Sequence, residues 1–181
     1  MPDRVIELAV GDITRISADA IVNAANNFLG GGGGVDGAIH RAGGPAIMAD
    51  LTRRYGHLGV RSCATGSAVV SDAGMLPARW VIHTVGPVWL DGDHGEPEAL
   101  ASAYATSLRL ADELGVAHVA FPSISTGVFG YPVDAAAEIA VTTLAQGLQS
   151  ATAVQRVTLV AFSPDALEPL EEVLGRTARN R

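Results

Sequence analysis

Residues 23 to 44 read NAANNFLGGGGGVDGAIHRAGG: paired asparagines, then five consecutive glycines, then an Asp just ahead of a helical pattern. Glycine loses more conformational freedom on folding than any other residue, so such a run is a poor filler for a compact domain and points to contact with a ligand. Without Cβ atoms the backbone can approach an anionic group closely and aim several N–H groups at it. The helix that follows adds the positive end of its dipole.

A second loop of the same character lies about a hundred residues later, where Val119, Ala120 and Phe121 give way to PSISTGVFGYP at 122 to 132. Two loops of this kind suit a diphosphate. Each follows a short apolar run that reads as a buried strand, so both are expected at the carboxyl ends of strands in an open sheet, where ligands bind.

The elements that must hold these loops are legible from periodicity and punctuation. Val5 to Val10, Ala20 to Val22, Ala68 to Val70, Trp80 to Val85, residues 117 to 121 and Val157 to Phe162 read as strands. Helical patterns open at Pro45, with Gly56 as a stop, at Pro97 to about Leu114, with Gly115 as a stop, at Pro132 to about Gln149, and at Pro164 to Arg176. The turn-rich, acidic stretch 90 to 98 reads as an exposed loop. Strands alternating with helices predict an α/β domain whose mixed or parallel sheet is covered on both faces. At 181 residues, 1–181 reads as a single domain.

Composition removes several classes of function. All 12 basic residues are Arg, and the absence of Lys excludes a Walker-type nucleotide loop, a Schiff-base enzyme and a pyridoxal phosphate site. A net charge of −7 argues against broad binding to nucleic acid, which depends on neutralising many phosphates. The lone Cys63 has no partner for a disulfide or a zinc site and reads as a small buried residue. No apolar run is long enough for a signal peptide or a membrane span, which predicts no membrane partner and a cytoplasmic address.

Five ordered blocks then identify a family. GDIT at 11 to 14, AIVNAAN at 20 to 26, GGGGVDGAIHRAGG at 31 to 44, VIHTVGP at 81 to 87 and PSISTGVFGYP at 122 to 132 together resemble the macrodomains, specifically their MacroD-type hydrolase branch. The resemblance implies a three-layer α/β/α fold with a central mixed sheet that binds ADP-ribose. In this branch it also implies removal of ADP-ribose or acyl groups linked through the distal ribose.

Carried over by motif, the resemblance implies that Asp12 accepts a hydrogen bond from the adenine amino group, with the backbone of Ile13 beside it; the alternative is a turn or cap Asp. Phe162 matches an aromatic that packs on adenine, or else is a core residue. Gly33, Gly34 and Val35 in the first loop, and Ser123, Ser125, Thr126 and Gly127 in the second, would hold the diphosphate. Val128 and Phe129 would close over the distal ribose, with core packing as the other reading of Phe129.

Asn26 and Asp36 are the pair implied for chemistry. An Asn amide donates and accepts at once, which suits a sugar hydroxyl, and a carboxylate is a competent base for water if its surroundings raise its pKa. Asp36 is equally able to cap the helix beginning GAIH. Asn23 reads as a tie between the glycine loop and neighbouring backbone. His40, four residues after Asp36, falls on the same helix face as either a packed residue or a neighbour in reach, and His83 reads as structural.

No metal or redox cofactor is required. Two features depart from the family: Ala73 and Gly74 replace the usual Gly-Tyr, so that Tyr's role cannot be transferred, and Gly30 replaces a larger apolar residue. EPLEEVLG at 168 to 175 superficially resembles a Nudix helix but lacks its Arg and Gly spacing. Three functions remain open: a hydrolase acting on ADP-ribosylated acidic side chains or O-acetyl-ADP-ribose, a reader of ADP-ribose without turnover, and an eraser of ADP-ribose on nucleic acid.

Overall fold

The computed structural model describes residues 4–56 and 62–179. Among them run strands β1 (Val5–Val10), β2 (Ala20–Ala24), β3 (Ala68–Asp72), β4 (Trp80–Thr84), β5 (His118–Pro122) and β6 (Arg156–Ala161), with helices α1 (Gly34–Gly43), α2 (Pro45–Tyr55), α3 (Glu96–Glu113), α4 (Val133–Ser150) and α5 (Pro164–Arg179). The sequence expectations agree to within a few residues at most ends. One short 3₁₀ turn, Ile13–Arg15, carried no signal of its own. The helix after the glycine run begins at Gly34, three residues earlier than the GAIH pattern suggests.

The strands form one sheet in the order β1-β6-β5-β2-β4-β3, parallel throughout except for the antiparallel edge pair β3–β4. Because side chains alternate across a strand, each strand feeds two cores. Ala20 and Val22, Ile82, Val119 and Phe121, and Val157 and Leu159 pack beneath α3, α4 and α5. Ile21, Val81, Ala120 and Val160 pack on the other face beneath Ile39 of α1 and Ile47 and Leu51 of α2. This is the three-layer α/β/α arrangement with a mixed central sheet. The two-sided burial also explains why the strand sequences read as continuous apolar runs.

Loops at the edges are tied by acidic side chains that accept backbone N–H groups. Asp112, near the end of α3, accepts from Thr152, Ala153 and Val154 at 2.7 to 3.0 Å. Glu96, predicted to be exposed with its loop, is buried instead. Its carboxylate accepts N–H groups from Leu90, Asp91, Gly92 and His94, which folds the turn-rich segment back onto the start of α3. The residue types suggested a solvated loop because the staple depends on a bend that local composition does not specify. No helix among the described residues is long and apolar enough to cross a membrane.

Candidate functional site

Strands β2 and β5 are neighbours, with Ala20 opposite Val119 and Ile21 opposite Ala120, so the two loops that follow them open side by side at one edge of the sheet. The first loop leads straight into α1. Gly34 has φ +56°, a left-handed conformation that glycine adopts without strain, and Gly33 is the N-cap with no side-chain capping bond. The N–H groups of that first turn, including Gly34 and Val35, lack intrahelical partners by geometry and form the positive end of the helix.

Close packing joins loop to helix. A Cβ added at Gly37 would stand 2.3 Å from the carbonyl oxygen of Gly32, so α1 presses directly on the glycine run. Asn26 shapes the same run from the other end: its Nδ2 donates to the Gly31 carbonyl at 2.8 Å, while its Oδ1 accepts the N–H groups of Phe28 and Gly30 at 3.1 and 3.3 Å. A Cβ placed on Gly32 would lie 3.5 Å from Asp36 Oδ2 and 3.8 Å from Asn26 Nδ2. The two side chains therefore flank one glycine, although ten residues separate them in sequence.

Asp36 is the third residue of α1, is 6% exposed, and does not cap the helix. Its Oδ1 instead accepts from Asn23 Nδ2 at 2.7 Å and lies 3.4 Å from His40 Nε2. Burial by itself would raise the pKa of this carboxyl, but hydrogen bonds from His40 and Asn23 outweigh it and hold the pKa below the ordinary 3.8. The condition set for a strong water base, a raised pKa, is not met; Asp36 is a fixed anion whose Oδ2 has no hydrogen-bond partner among the described residues. Asn23 does not tie the glycine loop to backbone either. Its amide is fully buried and bonds side chains, Asp36 on one side and His83 Nδ1 at 3.1 Å on the other.

The second loop is held under strain. Ser125 takes φ +67°, uncommon for a residue with a Cβ, and its buried Oγ has no hydrogen-bond partner among the described residues. Only glycine fits at position 86 beside it, since a Cβ there would fall 2.2 Å from Ser125 Oγ. Thr126 donates its hydroxyl to the Ser123 carbonyl at 3.1 Å, and the buried Tyr104 hydroxyl accepts the N–H of Ile124 at 3.1 Å from below. Gly127 is exposed and Val128 fully so, whereas Phe129 is half-buried with its carbonyl accepting the N–H of Trp89 at 2.8 Å.

At the far end of the edge, Asp12 does cap the 3₁₀ turn, with Oδ1 accepting Thr14 N–H at 2.9 Å and Thr14 Oγ1–H at 2.7 Å. The hydrogen bonds from Thr14 hold its pKa below the usual value. Ile13 beside it is buried. Phe162, just beyond β6, is 88% exposed, which overturns the core alternative. Gly74 is held by close packing: it has φ +59°, and a Cβ there would lie 2.1 Å from the carbonyl oxygen of Gly43.

Two groups that look reactive are chemically occupied or inert. Asp91, His94 and Glu96 lie close enough to share an ion, yet both Glu96 oxygens already accept backbone N–H groups. Cys63 is buried, and burial pushes its thiol up to about 11, which removes the thiolate needed of a nucleophile.

What sequence reasoning missed is a buried polar chain under Asp36. His83 is 1% exposed and faces Asn23 in register across β4 and β2, and its Nε2 lies 2.8 Å from Ser71 Oγ on β3. Polar residues at inward positions of apolar strands, IVNAA and VIHT, were the available signal. Burial first, then the neighbouring His40, depresses the His83 pKa to about 3, against an opposing pull from Asp36.

This sets a pH dependence. As pH falls through 6.5 the unfolded chain protonates His83 while the native form does not until about 3, so stability declines across that window. Asp112, whose burial is outweighed by backbone N–H groups that bring its pKa to about 2, adds a loss from its ordinary 3.8 downward. Urea midpoints are expected to be flat from about pH 7 to 8, to fall below pH 6.5 and to steepen below about 4. A midpoint constant from pH 7 to pH 4.5 would contradict a neutral, buried His83.

The macro domain model matches residues 22–140, a span containing both loops and the polar chain beneath them. The chain belongs to the macro domain family. A macro domain-containing protein of Streptomyces coelicolor is 57% identical over 171 residues, covering 94% of this chain and 98% of the relative. An O-acetyl-ADP-ribose deacetylase of Escherichia fergusonii is 49% identical over 160 residues, covering 88% and 89%. Among solved structures, a variant of the Oceanobacillus iheyensis macrodomain with ADP-ribose superposes with a TM-score of 0.90 at 40% identity, covering 98% of this chain and 95% of that one. In this macro domain, Asn26, Asp36 and the two loops thus sit within the span that defines the family.

Proposed function

We propose that this macro domain is an ADP-ribose-binding hydrolase that removes mono-ADP-ribose from ester-linked acidic side chains and deacylates O-acetyl-ADP-ribose. The observation that carries this reading is the convergence of Asn26 and Asp36 Oδ2 on Gly32, at the positive end of α1. The names of the Escherichia relative and the ligand of the Oceanobacillus structure support it.

In this proposal the diphosphate lies between the two loops, against the backbone of Gly33, Gly34, Val35, Ser123, Ser125, Thr126 and Gly127. Adenine extends toward Asp12, Ile13 and Phe162. The distal ribose then rests between Asn26 and Asp36 under Val128 and Phe129. A water hydrogen-bonded to Asp36 Oδ2 attacks the ester carbonyl or the anomeric carbon; the bond from the attacked carbon to the bridging ester oxygen breaks, and that oxygen leaves with a proton. Because Asp36 stays ionised, its role is to orient that water and to accept its proton as the new bond forms, while pre-organised geometry supplies most of the acceleration. No metal ion enters the proposal.

Two measurements test it together. Saturating ADP-ribose at ~100 times Kd is expected to add ~2.7 kcal/mol of stability, a clear thermal shift. Release of label from proteins modified on Glu, but not on Ser or Arg, and from O-acetyl-ADP-ribose is then the expected activity, with ADP-ribosylated DNA as a further substrate arm. Binding without any release leaves a reader module; no shift and no calorimetric heat removes the ligand assignment altogether.

A further inference from the structure

We infer that His83 is a positioning residue, acting through Asn23 to fix which oxygen of Asp36 is presented to the substrate; the inference rests on the hydrolase reading above. The Asn23 amide nitrogen stands between two acceptors, Asp36 Oδ1 at 2.7 Å and His83 Nδ1 at 3.1 Å. Turning the amide over would set its oxygen against a carboxylate. Its orientation is therefore determined, even though Asn23 Oδ1 is left buried without a partner among the described residues, an arrangement that carries a desolvation cost.

That orientation fixes the histidine. With an N–H of Asn23 aimed at it, Nδ1 must carry the lone pair, so the ring proton is on Nε2 and is donated to Ser71 Oγ at 2.8 Å. Ser71 in turn donates to the carbonyl of Asp72 at 2.9 Å. The donors run one way, from Asn23 through His83 and Ser71 to backbone, across three adjacent strands. His40, whose ring centroid is 6.0 Å from that of His83, approaches Asp36 from α1.

The result at Asp36 is an asymmetric carboxylate. Oδ1 is occupied by Asn23 and His40, and Oδ2 faces the Asn26 side of Gly32. Deleting the acceptor at His83 Nδ1 removes one of the two bonds that hold the amide, so Asn23 is held by Asp36 alone and the pair can shift together out of its fixed position. Displacement of a catalytic group by about 1 Å costs on the order of 10²-fold in rate.

The test compares His83→Leu, which deletes the acceptor at similar size, with His83→Asn, whose carbonyl oxygen falls near the position of Nδ1. His83→Leu is expected to lower kcat by ~10–100-fold, the range for lost second-layer support of a reacting group, with ADP-ribose Kd changed less than about threefold. His83→Asn is expected to recover most of that loss. The Asp36 carboxyl, followed by carbon NMR and assigned with Asp36→Asn, is expected to titrate higher in His83→Leu than in the parent and in His83→Asn.

Equal loss in both variants, or parent-like kcat and Asp36 titration in folded His83→Leu, would overturn the assignment. Should His83→Leu not fold, Ser71→Ala asks the same question by releasing the ring proton to Nδ1, where it opposes Asn23; several-fold lower kcat and a higher Asp36 titration support the inference, and parent behaviour ends it. The NMR titration needs no turnover. If the parent hydrolyses no ester, the hydrolase reading fails by itself while the titration still decides whether His83 controls Asp36.

Discussion

Asp36→Ala is expected to lower the turnover number on ester-linked ADP-ribose by roughly 10²–10⁴-fold, the range for loss of a positioned acid–base group, with a much smaller effect on ADP-ribose Kd. An acceptor that matters most while the attacking water is losing its proton acts in the transition state, so its loss falls on kcat. Some stability should go as well, because the buried Asn23 N–H is left without its acceptor, at a cost of about 1–3 kcal/mol. A helix-cap role would give lost stability with an intact rate; here Gly33, not Asp36, is the cap. Single-turnover hydrolysis beside calorimetry, on protein shown to be folded, separates the two. Unchanged chemistry would transfer the role to another group.

Gly127→Glu should abolish useful affinity for ADP-ribose while sparing the fold. No atom lies within 4 Å of the position its Cβ would take, and the residue is exposed, so the substitution meets open space in the free protein. With ligand bound, a carboxylate about 5 Å from the diphosphate at an effective dielectric of about 20 opposes it by ~3 kcal/mol per phosphate charge, or upwards of 100-fold in Kd. Gly127→Gln supplies the same bulk without charge and should lose much less. Calorimetry on the pair reads the difference. Parent-like affinity in folded Gly127→Glu would mean that the second loop does not face the phosphates.

Much of the scaffold was legible because its signals are local. Pro45, Gly56 and Pro164 delimit helices, and apolar runs closed by Gly or Pro delimit strands, so the positions of both loops followed from reading order alone. The short range of such signals is also their limit. Asn23 and His83 are sixty residues apart and meet only through the β2–β4 register, which no window on the chain contains. Asp36 shows the same limit: its spacing from His40 was visible, but the direction of its pKa depends on burial set against bonds from both His40 and Asn23, the second of which lies on strand β2. Phe162 closes an apolar run and so resembled core, yet the sheet ends one residue before it and leaves it in solvent.

The adjacency of β2 and β5 bears on how the protein acquires function during folding. Those two strands are about a hundred residues apart in the chain, and β1 pairs with β6 over a still longer separation. Parallel pairings of this span close large loops before contacts reward them, so they form slowly and late relative to the helices. The glycine run can acquire its shape early, from Asn26 and α1, all within one short segment. Its counterpart at 122 to 132 reaches it only once the central strands have docked. A chain stalled before β5 during synthesis would therefore hold half a site, and the onset of ligand affinity on refolding marks completion of the sheet's centre and not the earlier collapse of its helices.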